Sequence, residues 1–198
     1  MKKNIFSFAL FVFICCFAYS AEEININTTV KVYDRNLQEI TSRFTYYPEE
    51  TEVGNDALIL YFGAGYSSRA FMFAYNLRQR FIEIIDKCIE WANIARLNNV
   101  RQLTREVTAG IGIIGVTSRI EPYSADFTFS IREVQDRVEM TLIINYKTTY
   151  ELNARSQGNY IVFKEHDFIE LKELFSENFL SQYADRAREQ RMVEELFQ

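Results

Sequence analysis

The sequence predicts an α+β domain: an antiparallel sheet of about six or seven strands, with two long amphipathic helices packed on one face. Apolar and polar residues alternate in runs that begin at Phe127 and Val138, and period two is the signature of a half-buried strand. Two other segments repeat apolar residues every three or four positions, as amphipathic helices do. A sheet with one apolar face needs a covering layer, and the predicted order is β-β-β-α-β-β-β-β-α.

The first twenty residues have the pattern of a signal peptide. Lys2 and Lys3 precede an apolar run, and the small residues Ala18 and Ser20 occupy the positions that a signal peptidase reads. The run is shorter than the roughly 20 residues that a membrane-spanning helix needs. We therefore expect residues 1–20 to be cleaved and the mature chain to contain no transmembrane segment.

A single exported domain, residues 21–198, is expected to follow, in the periplasm or outside the cell. The alternative is a lipoprotein anchored through Cys15 or Cys16. It is disfavoured because the bulky residues Phe13 and Ile14 stand where a lipid-attachment motif usually carries small ones.

Composition excludes two classes of partner. The chain has 22 basic and 27 acidic residues, a formal net charge of −5, and loss of the leader lysines makes it more acidic still. Nucleic acids and anionic membrane surfaces both require a basic face. We therefore expect the partner to be an envelope protein or a small ligand.

The N-terminal third of the mature chain predicts three strands. Residues 22–33 alternate, a turn-prone stretch follows at 34–36, and a second run ends at Pro48, which cannot donate to a strand ladder. These two runs predict a hairpin. The continuous apolar run 57–62 predicts a third strand that is buried on both faces.

The first long helix is predicted after residues 63–66. Ser67 or Ser68 is a suitable N-cap, and Asn98 and Asn99 are suitable stop signals. The periodicity places Arg78 on the polar face of this helix. The predicted apolar stripe is Ala70, Ala74, Leu77, Phe81, Ile84, Cys88, Trp91 or Ala92, and Ala95.

Four strands and the second long helix complete the chain. The run 107–117 contains glycines that predict a bulge or a close approach near 112–115. The two alternating strands follow, and then a polar loop at 151–158 and a last strand at 160–163. The second helix is predicted to open at His166 and Asp167. Its final residues, 188–198, carry Met192, Val193, Leu196 and Phe197 and are expected to protrude from the domain.

A weak anion-binding site is the one ligand site that the pattern suggests. Its residues are Gly63, Gly65, Ser67, Ser68 and Arg69, between a strand and the predicted helix N-terminus. Free backbone N–H groups and the positive end of the helix dipole favour an anion there. The stretch lacks the third glycine of a dinucleotide turn and the Gly-Lys pair of a P-loop.

The sequence offers few candidate catalytic residues, and which residues would be catalytic is unknown. His166 is the single histidine, and Cys88 is the single cysteine outside the predicted leader. Metal sites built from several histidines or cysteines are therefore excluded, and we expect no metal and no cofactor. We expect a capping or surface role for His166 and an inert packing role for Cys88.

Three functions remain open at this point. The preferred hypothesis is a non-catalytic binding or interaction domain of the cell envelope. A carboxylate-dependent envelope hydrolase is the first alternative and would need a concave pocket that holds two acidic side chains with raised pKa values. The second alternative is a carrier of an apolar small molecule, which would need a cavity between sheet and helices.

Overall fold

The computed structural model describes residues 22–48, 56–63, 69–116, 120–148 and 159–197. The predicted signal peptide and the loop 151–158 lie outside these ranges. None of the helices in the described ranges has the length and apolar character that crossing a membrane requires. The strands there are β1 (Ile24–Ile26), β2 (Val32–Tyr33), β3 (Glu39–Ile40), β4 (Ser42–Tyr47), β5 (Ala57–Phe62), β6 (Arg69–Ala74), β7 (Leu103–Val116), β8 (Ile120–Val134), β9 (Arg137–Thr148) and β10 (Asn159–Lys164). The helices are α1 (Tyr75–Leu97), α2 (Phe168–Phe175) and α3 (Glu177–Glu195), with a short 3-10 helix at Glu165–Asp167.

The strands form an antiparallel sheet in the order β1-β4-β5-β6-β7-β8-β9-β10-β2-β3. It has a four-stranded part, β1-β4-β5-β6, and a six-stranded part, β7-β8-β9-β10-β2-β3. The two parts are joined by three residue pairs between β6 and β7, from Ala70 opposite Val116 to Met72 opposite Ile114. The predicted antiparallel α+β class is confirmed, and four strands follow the first long helix as predicted. Six strands, in place of the predicted three, precede that helix, so the predicted total and the exact order are not confirmed.

The two ends of this strand order are joined by the chain itself. Only residues 27–31 separate β1 from β2, and Thr41 alone separates β3 from β4. Consecutive Cα atoms are about 3.8 Å apart, so Ile40 and Ser42 lie within roughly 7.6 Å of each other. The sheet must therefore curl until its ends meet. In agreement, the rings of Phe62 on β5 and Tyr146 on β9 lie 5.9 Å apart, although three strands stand between them.

The predicted N-terminal hairpin bridges these two ends. β1 pairs with β4 and β2 pairs with β3, while β4 also pairs with β5 and β2 with β10. The turn forms where the polar residues predict it. The Asp34 carboxylate accepts from the backbone N–H groups of Asn36 at 2.8 Å and Gln38 at 2.9 Å.

The concave face of the sheet holds the core, as the alternation predicts. Phe127 and Leu142 are fully buried. The Phe81 ring of α1 packs on Phe127 at 5.8 Å and on Phe163 of β10 at 6.3 Å. The Phe175 ring of α2 lies 4.5 Å from the Phe81 ring, so both helices cover the same face.

The prediction of one long C-terminal helix is wrong. The segment divides at Ser176, whose backbone is extended at φ −74° and ψ 142°. The Ser176 hydroxyl accepts from the Phe179 N–H at 3.3 Å and so caps a new helix. The change of direction brings Phe175 over the core and carries α3 out to β1.

The predicted start of the first helix is also wrong. Residues 69–74 form β6, and α1 begins at Tyr75. β6 pairs with β5 along its whole length, and the fully buried rings of Phe71 and Phe73 point into the core. Alanines at 70 and 74 match a helical spacing by coincidence, and strand pairing overrides that local preference.

β7 carries a bulge outside the predicted stretch 112–115 and a close approach within it. Its register against β8 shifts between Glu106 and Ile111, and Gly110 adopts φ +68° within that stretch. The Gly110 N–H donates to Asp126 Oδ1 at 2.9 Å. Gly115 is the close approach, because a Cβ there would overlap the Tyr123 ring.

Candidate functional site

Two of the five residues of the predicted anion site, Gly63 and Arg69, lie in the described part of the chain, and neither stands at a helix N-terminus. Gly63 ends β5 at φ 89°, and its N–H donates to the Thr41 carbonyl at 2.9 Å. Arg69 opens β6, and its guanidinium lies 5.6 Å from the Tyr146 ring. Gly65, Ser67 and Ser68 lie outside the described residues. Because α1 begins at Tyr75, the dipole that the hypothesis relied on is not at this position.

His166 and Cys88 occupy the settings that the sequence predicts for them. The His166 side chain is 64% exposed, and its Nε2 atom lies 3.5 Å from Asp167 Oδ1. Cys88 is fully buried, and burial raises the pKa of its thiol to about 12, so it stays protonated at neutral pH. In the described part of the chain, no cluster of three or more His, Cys, Asp or Glu side chains is arranged to hold a metal ion.

The densest polar cluster centres on Arg78, which the sequence analysis placed on the solvent face. The Arg78 side chain is 0% exposed, and its Nη2 atom donates to Asp56 Oδ2 and to Glu177 Oε2, both at 2.8 Å. The Tyr46 hydroxyl donates to the same Asp56 oxygen at 2.6 Å. The cluster ties α1 to β4, to the start of β5 and to the first turn of α3, and we call it the Arg78 cluster.

A signal for the burial of Arg78 is present in the sequence. The predicted apolar stripe included Leu77 and Ile84, which lie at the margin of the stripe that is buried in the structure. The fully buried stripe steps by three and four residues, and Arg78 is its first member. That stripe is Arg78, Phe81, Ile85, Cys88, Ala92 and Ala95.

The bonding within the Arg78 cluster suits a structural role. The pKa of the Tyr46 hydroxyl is raised, mainly by burial and secondly by the hydrogen bond to Asp56. Tyr46 therefore remains a protonated donor. Asp56 and Glu177 are already engaged by the guanidinium. A general acid or base has to face a substrate, and none of these four residues lines either cleft described below.

A second group of acids lies at the start of α2. Burial raises the pKa of Asp167, whose Oδ2 atom has no hydrogen-bond partner among the described residues. The pKa of Glu170 is lowered, because its carboxylate accepts from the Thr29 and Thr28 hydroxyls and from the Thr29 N–H. Glu170 thereby fastens the β1–β2 connection to α2. Neither acid lines one of the clefts.

Two of the clefts on the described surface are open and lined by mixed polar and apolar groups. The first, of about 240 Å³, lies between α1 and β7 and includes Arg80, Lys87 and Ile111. The second, of about 530 Å³, lies between β1 and α3, and we call it the β1–α3 groove. Its lining residues are Glu23, Ile24, Asn25, Tyr183, Arg186, Ala187, Gln190 and Arg191.

Between sheet and helices, where the carrier hypothesis requires a cavity, the Phe81 ring packs on Phe127 and Phe175. A second group of aromatic rings packs across the curl of the sheet. Phe71 lies 4.8 Å from Phe62, 4.8 Å from Tyr146 and 6.0 Å from Tyr123, measured between ring centroids. These rings come from β5, β6, β8 and β9 and meet across the curl of the sheet. Close packing of this kind removes the volume that a carrier would need.

The end of α3 exposes four large apolar side chains, Met192, Val193, Leu196 and Phe197. We call them the C-terminal apolar patch. The partly buried stripe of α3 that packs on the core is formed by Phe179, Tyr183 and Ala187. At 100° per residue, Met192 and Val193 lie about 130° around the helix axis from that stripe, and Leu196 and Phe197 follow the last residue of α3. Among the described residues, none buries this end of the helix, where residues 188–197 are all exposed.

Comparison with known proteins assigns no family. No protein-family model matches the chain, and no match was found among curated proteins or solved structures. Function is therefore inferred from the surfaces described above.

Proposed function

We propose that this protein is an exported, non-catalytic interaction domain that docks through its C-terminal apolar patch into a groove on a partner protein of the cell envelope. The observation that carries the proposal is the exposure of Met192, Val193, Leu196 and Phe197 on one face of α3. Exposed apolar side chains that are contiguous mark interaction surfaces in soluble domains.

The spacing of the patch suits insertion into a groove. Its residues follow one another at i, i+1, i+4 and i+5, so they form a short ridge along one side of the helix. An amphipathic helix recognised by a groove presents anchors of this kind. Burying one such side chain contributes about 1.5–3 kcal/mol, so the patch would supply part of the binding free energy, and contacts of the flanking residues would supply the rest.

The area of the patch argues for a groove-bearing partner and against a second copy of the chain. Converted at about 25 cal/mol per Å² of buried apolar surface, the 1.5–3 kcal/mol of each side chain gives the four-residue patch an area of roughly 250–500 Å². A stable interface buries about 800 Å² on each partner. Two patches pressed together fall short of that value, whereas a groove that also contacts the polar flanks of α3 reaches it.

The two alternative functions receive less support. A hydrolase needs acidic groups that are open to substrate, but Asp56 and Glu177 are held by Arg78, and Asp167 is buried. A carrier needs an internal chamber, but rings fill the interior around Phe71.

Photo-crosslinking and affinity measurement test the proposal. A photoreactive residue at position 196 should give one defined adduct in the native host, and the captured protein should then bind the purified domain. Leu196→Asp should weaken that binding at least about 10-fold, because an apolar anchor worth 1.5–3 kcal/mol is lost. Leu97→Asp is the matched control, since Leu97 at the end of α1 is 83% exposed and Leu196 is 81% exposed.

The outcomes separate the possibilities. Equal weakening by Leu97→Asp would contradict docking through the patch, as would the absence of any adduct at position 196. An adduct of twice the chain mass would point to self-association and would overturn the choice of partner.

A further inference from the structure

β1 is a terminal strand of the described sheet, and helix side chains occupy its outer edge. The Tyr183 hydroxyl accepts from the Asn27 N–H at 2.9 Å and donates to the Asn25 carbonyl at 3.4 Å. Glu170 accepts from the Thr29 N–H at 2.9 Å. Backbone groups of alternate residues point to the same edge of a strand. On this edge, the Asn25 carbonyl and the N–H groups of Asn27 and Thr29 bond to side chains of α2 and α3 in place of a neighbouring strand.

The Tyr183 hydroxyl stands where the backbone of an added strand would lie. A residue of a neighbouring parallel strand accepts from one N–H and donates to the carbonyl two residues earlier, and Tyr183 makes this same pair of bonds around Ile26. The bond to the Asn25 carbonyl is long at 3.4 Å, and both bonds are at the surface. Replacing these two bonds of the Tyr183 hydroxyl by main-chain hydrogen bonds to an added strand therefore costs little free energy.

The β1–α3 groove runs beside this edge, and its charged lining residues are Glu23, Arg186 and Arg191. Arg188 and Arg191 are both bound to Glu22. Arg186 has no carboxylate of the described residues within ion-pair distance, and its Nε atom bonds to the Gln182 carbonyl of its own helix at 3.2 Å. An occupant with a negative side chain would complement Arg186.

We propose that the β1–α3 groove binds an extended, acidic segment of a partner protein, which adds to the outer edge of β1 and replaces the Tyr183 hydroxyl. Strand addition supplies affinity through main-chain hydrogen bonds, and side-chain contacts supply specificity. The surface is separate from the C-terminal apolar patch, so either can fail without the other.

Peptide binding to the mature domain tests the proposal. The probes are fluorescein-labelled octapeptides, one with alternating Glu and Val and a matched one with alternating Lys and Val, followed by fluorescence anisotropy. The Glu-Val peptide should bind, and the Lys-Val peptide should bind at least about 10-fold more weakly. Arg186→Gln should weaken the Glu-Val peptide about 3- to 10-fold. Arg80→Gln, in the other cleft, should leave its affinity unchanged.

Two further measurements separate strand addition from simple charge attraction. Tyr183→Phe keeps the ring but releases the Asn27 N–H, so the Glu-Val peptide should bind about 3-fold more tightly. Methylation of alternate backbone amides of the peptide along one edge should abolish binding, because those N–H groups can no longer donate.

The proposal is overturned if the Glu-Val peptide does not bind at millimolar concentration, or if the N-methylated peptide binds as well as the parent. Loss of peptide binding in Leu196→Asp would instead assign it to the C-terminal apolar patch. If Tyr183→Phe lowers the thermal stability of the domain, the N-methylated peptide decides the question without that variant.

Discussion

Replacing Arg78 by methionine should destabilise the domain more than any single change on the solvent face of α1. The substitution removes a guanidinium that is 0% exposed while retaining much of its volume. Asp56, whose side chain is 14% exposed, would be left with the Tyr46 hydroxyl as its remaining side-chain donor among the described residues. A carboxylate that is buried and loses its cation costs about 3–5 kcal/mol.

The two ion pairs of Arg78 should contribute unequally. The Glu177 side chain is 52% exposed, so water screens its attraction to Arg78 and the pair is worth about 0–1 kcal/mol. A double-mutant cycle of Arg78→Met with Asp56→Asn should therefore give a coupling energy of about 2–3 kcal/mol. The cycle with Glu177→Gln should give about 1 kcal/mol or less.

Urea unfolding of the mature domain at pH 7, followed by far-ultraviolet circular dichroism, measures these free energies. Arg80→Met is the control, because Arg80 is exposed on the same helix, and its effect should stay within about 0.5 kcal/mol. A cost below about 1 kcal/mol for Arg78→Met would refute the reasoning. So would a coupling to Glu177 as large as the coupling to Asp56.

Three further changes have definite expected outcomes. Gly115→Ala should lower the free energy of unfolding in urea by about 1–3 kcal/mol, because a Cβ would overlap the Tyr123 ring. Gly112→Ala is the control: a Cβ there meets open space, so the free energy of unfolding should change by about 0.5 kcal/mol or less. Cys88, with a thiol pKa raised to about 12 by burial, should resist iodoacetamide in the native protein and react on unfolding, as followed by mass spectrometry. Burial raises the pKa of Asp167, so the folded state binds this proton more tightly than the unfolded chain, and the charged carboxylate opposes folding above its native pKa. Asp167→Asn should therefore raise the melting temperature at pH 7, and the gain should shrink as the pH falls through that pKa.

The elements that the sequence predicts best are those whose period is long and regular. The alternation around Phe127 and Leu142 places both side chains in the core, where they are fully buried. The turn at Asp34 also forms as expected, because its carboxylate bonds to nearby backbone within five residues. Signals of this kind are local, and distant parts of the chain do not alter them.

The errors arise where contacts between residues far apart in the chain decide between two structures that the local sequence allows. Residues 69–74 fit a helical spacing through Ala70 and Ala74, but β5 offers six partners for them and they form β6. Arg78 is charged, and charge normally indicates the solvent face. Its burial depends on Asp56 and Glu177, which lie 22 and 99 residues away in the chain, so the helical period alone could not reveal the cluster.

The curling of the sheet explains why both proposed surfaces lie along α3. β2 continues the ladder of β10 at Val162, but beyond Lys164 the chain turns into helices, so β1 faces α2 and α3 where a strand would otherwise pair. α3 therefore has to cover a strand edge, and it does so with Tyr183 and with two fully buried residues, Leu180 and Ala184. Beyond Ala187, Gln190 and Arg191 still line the groove beside β1, Arg188 and Arg191 bind Glu22, and the four residues of the C-terminal apolar patch are exposed. The described contacts between α3 and the core do not use the four residues of this patch, so changes there test the docking proposal without disturbing the closure of the sheet.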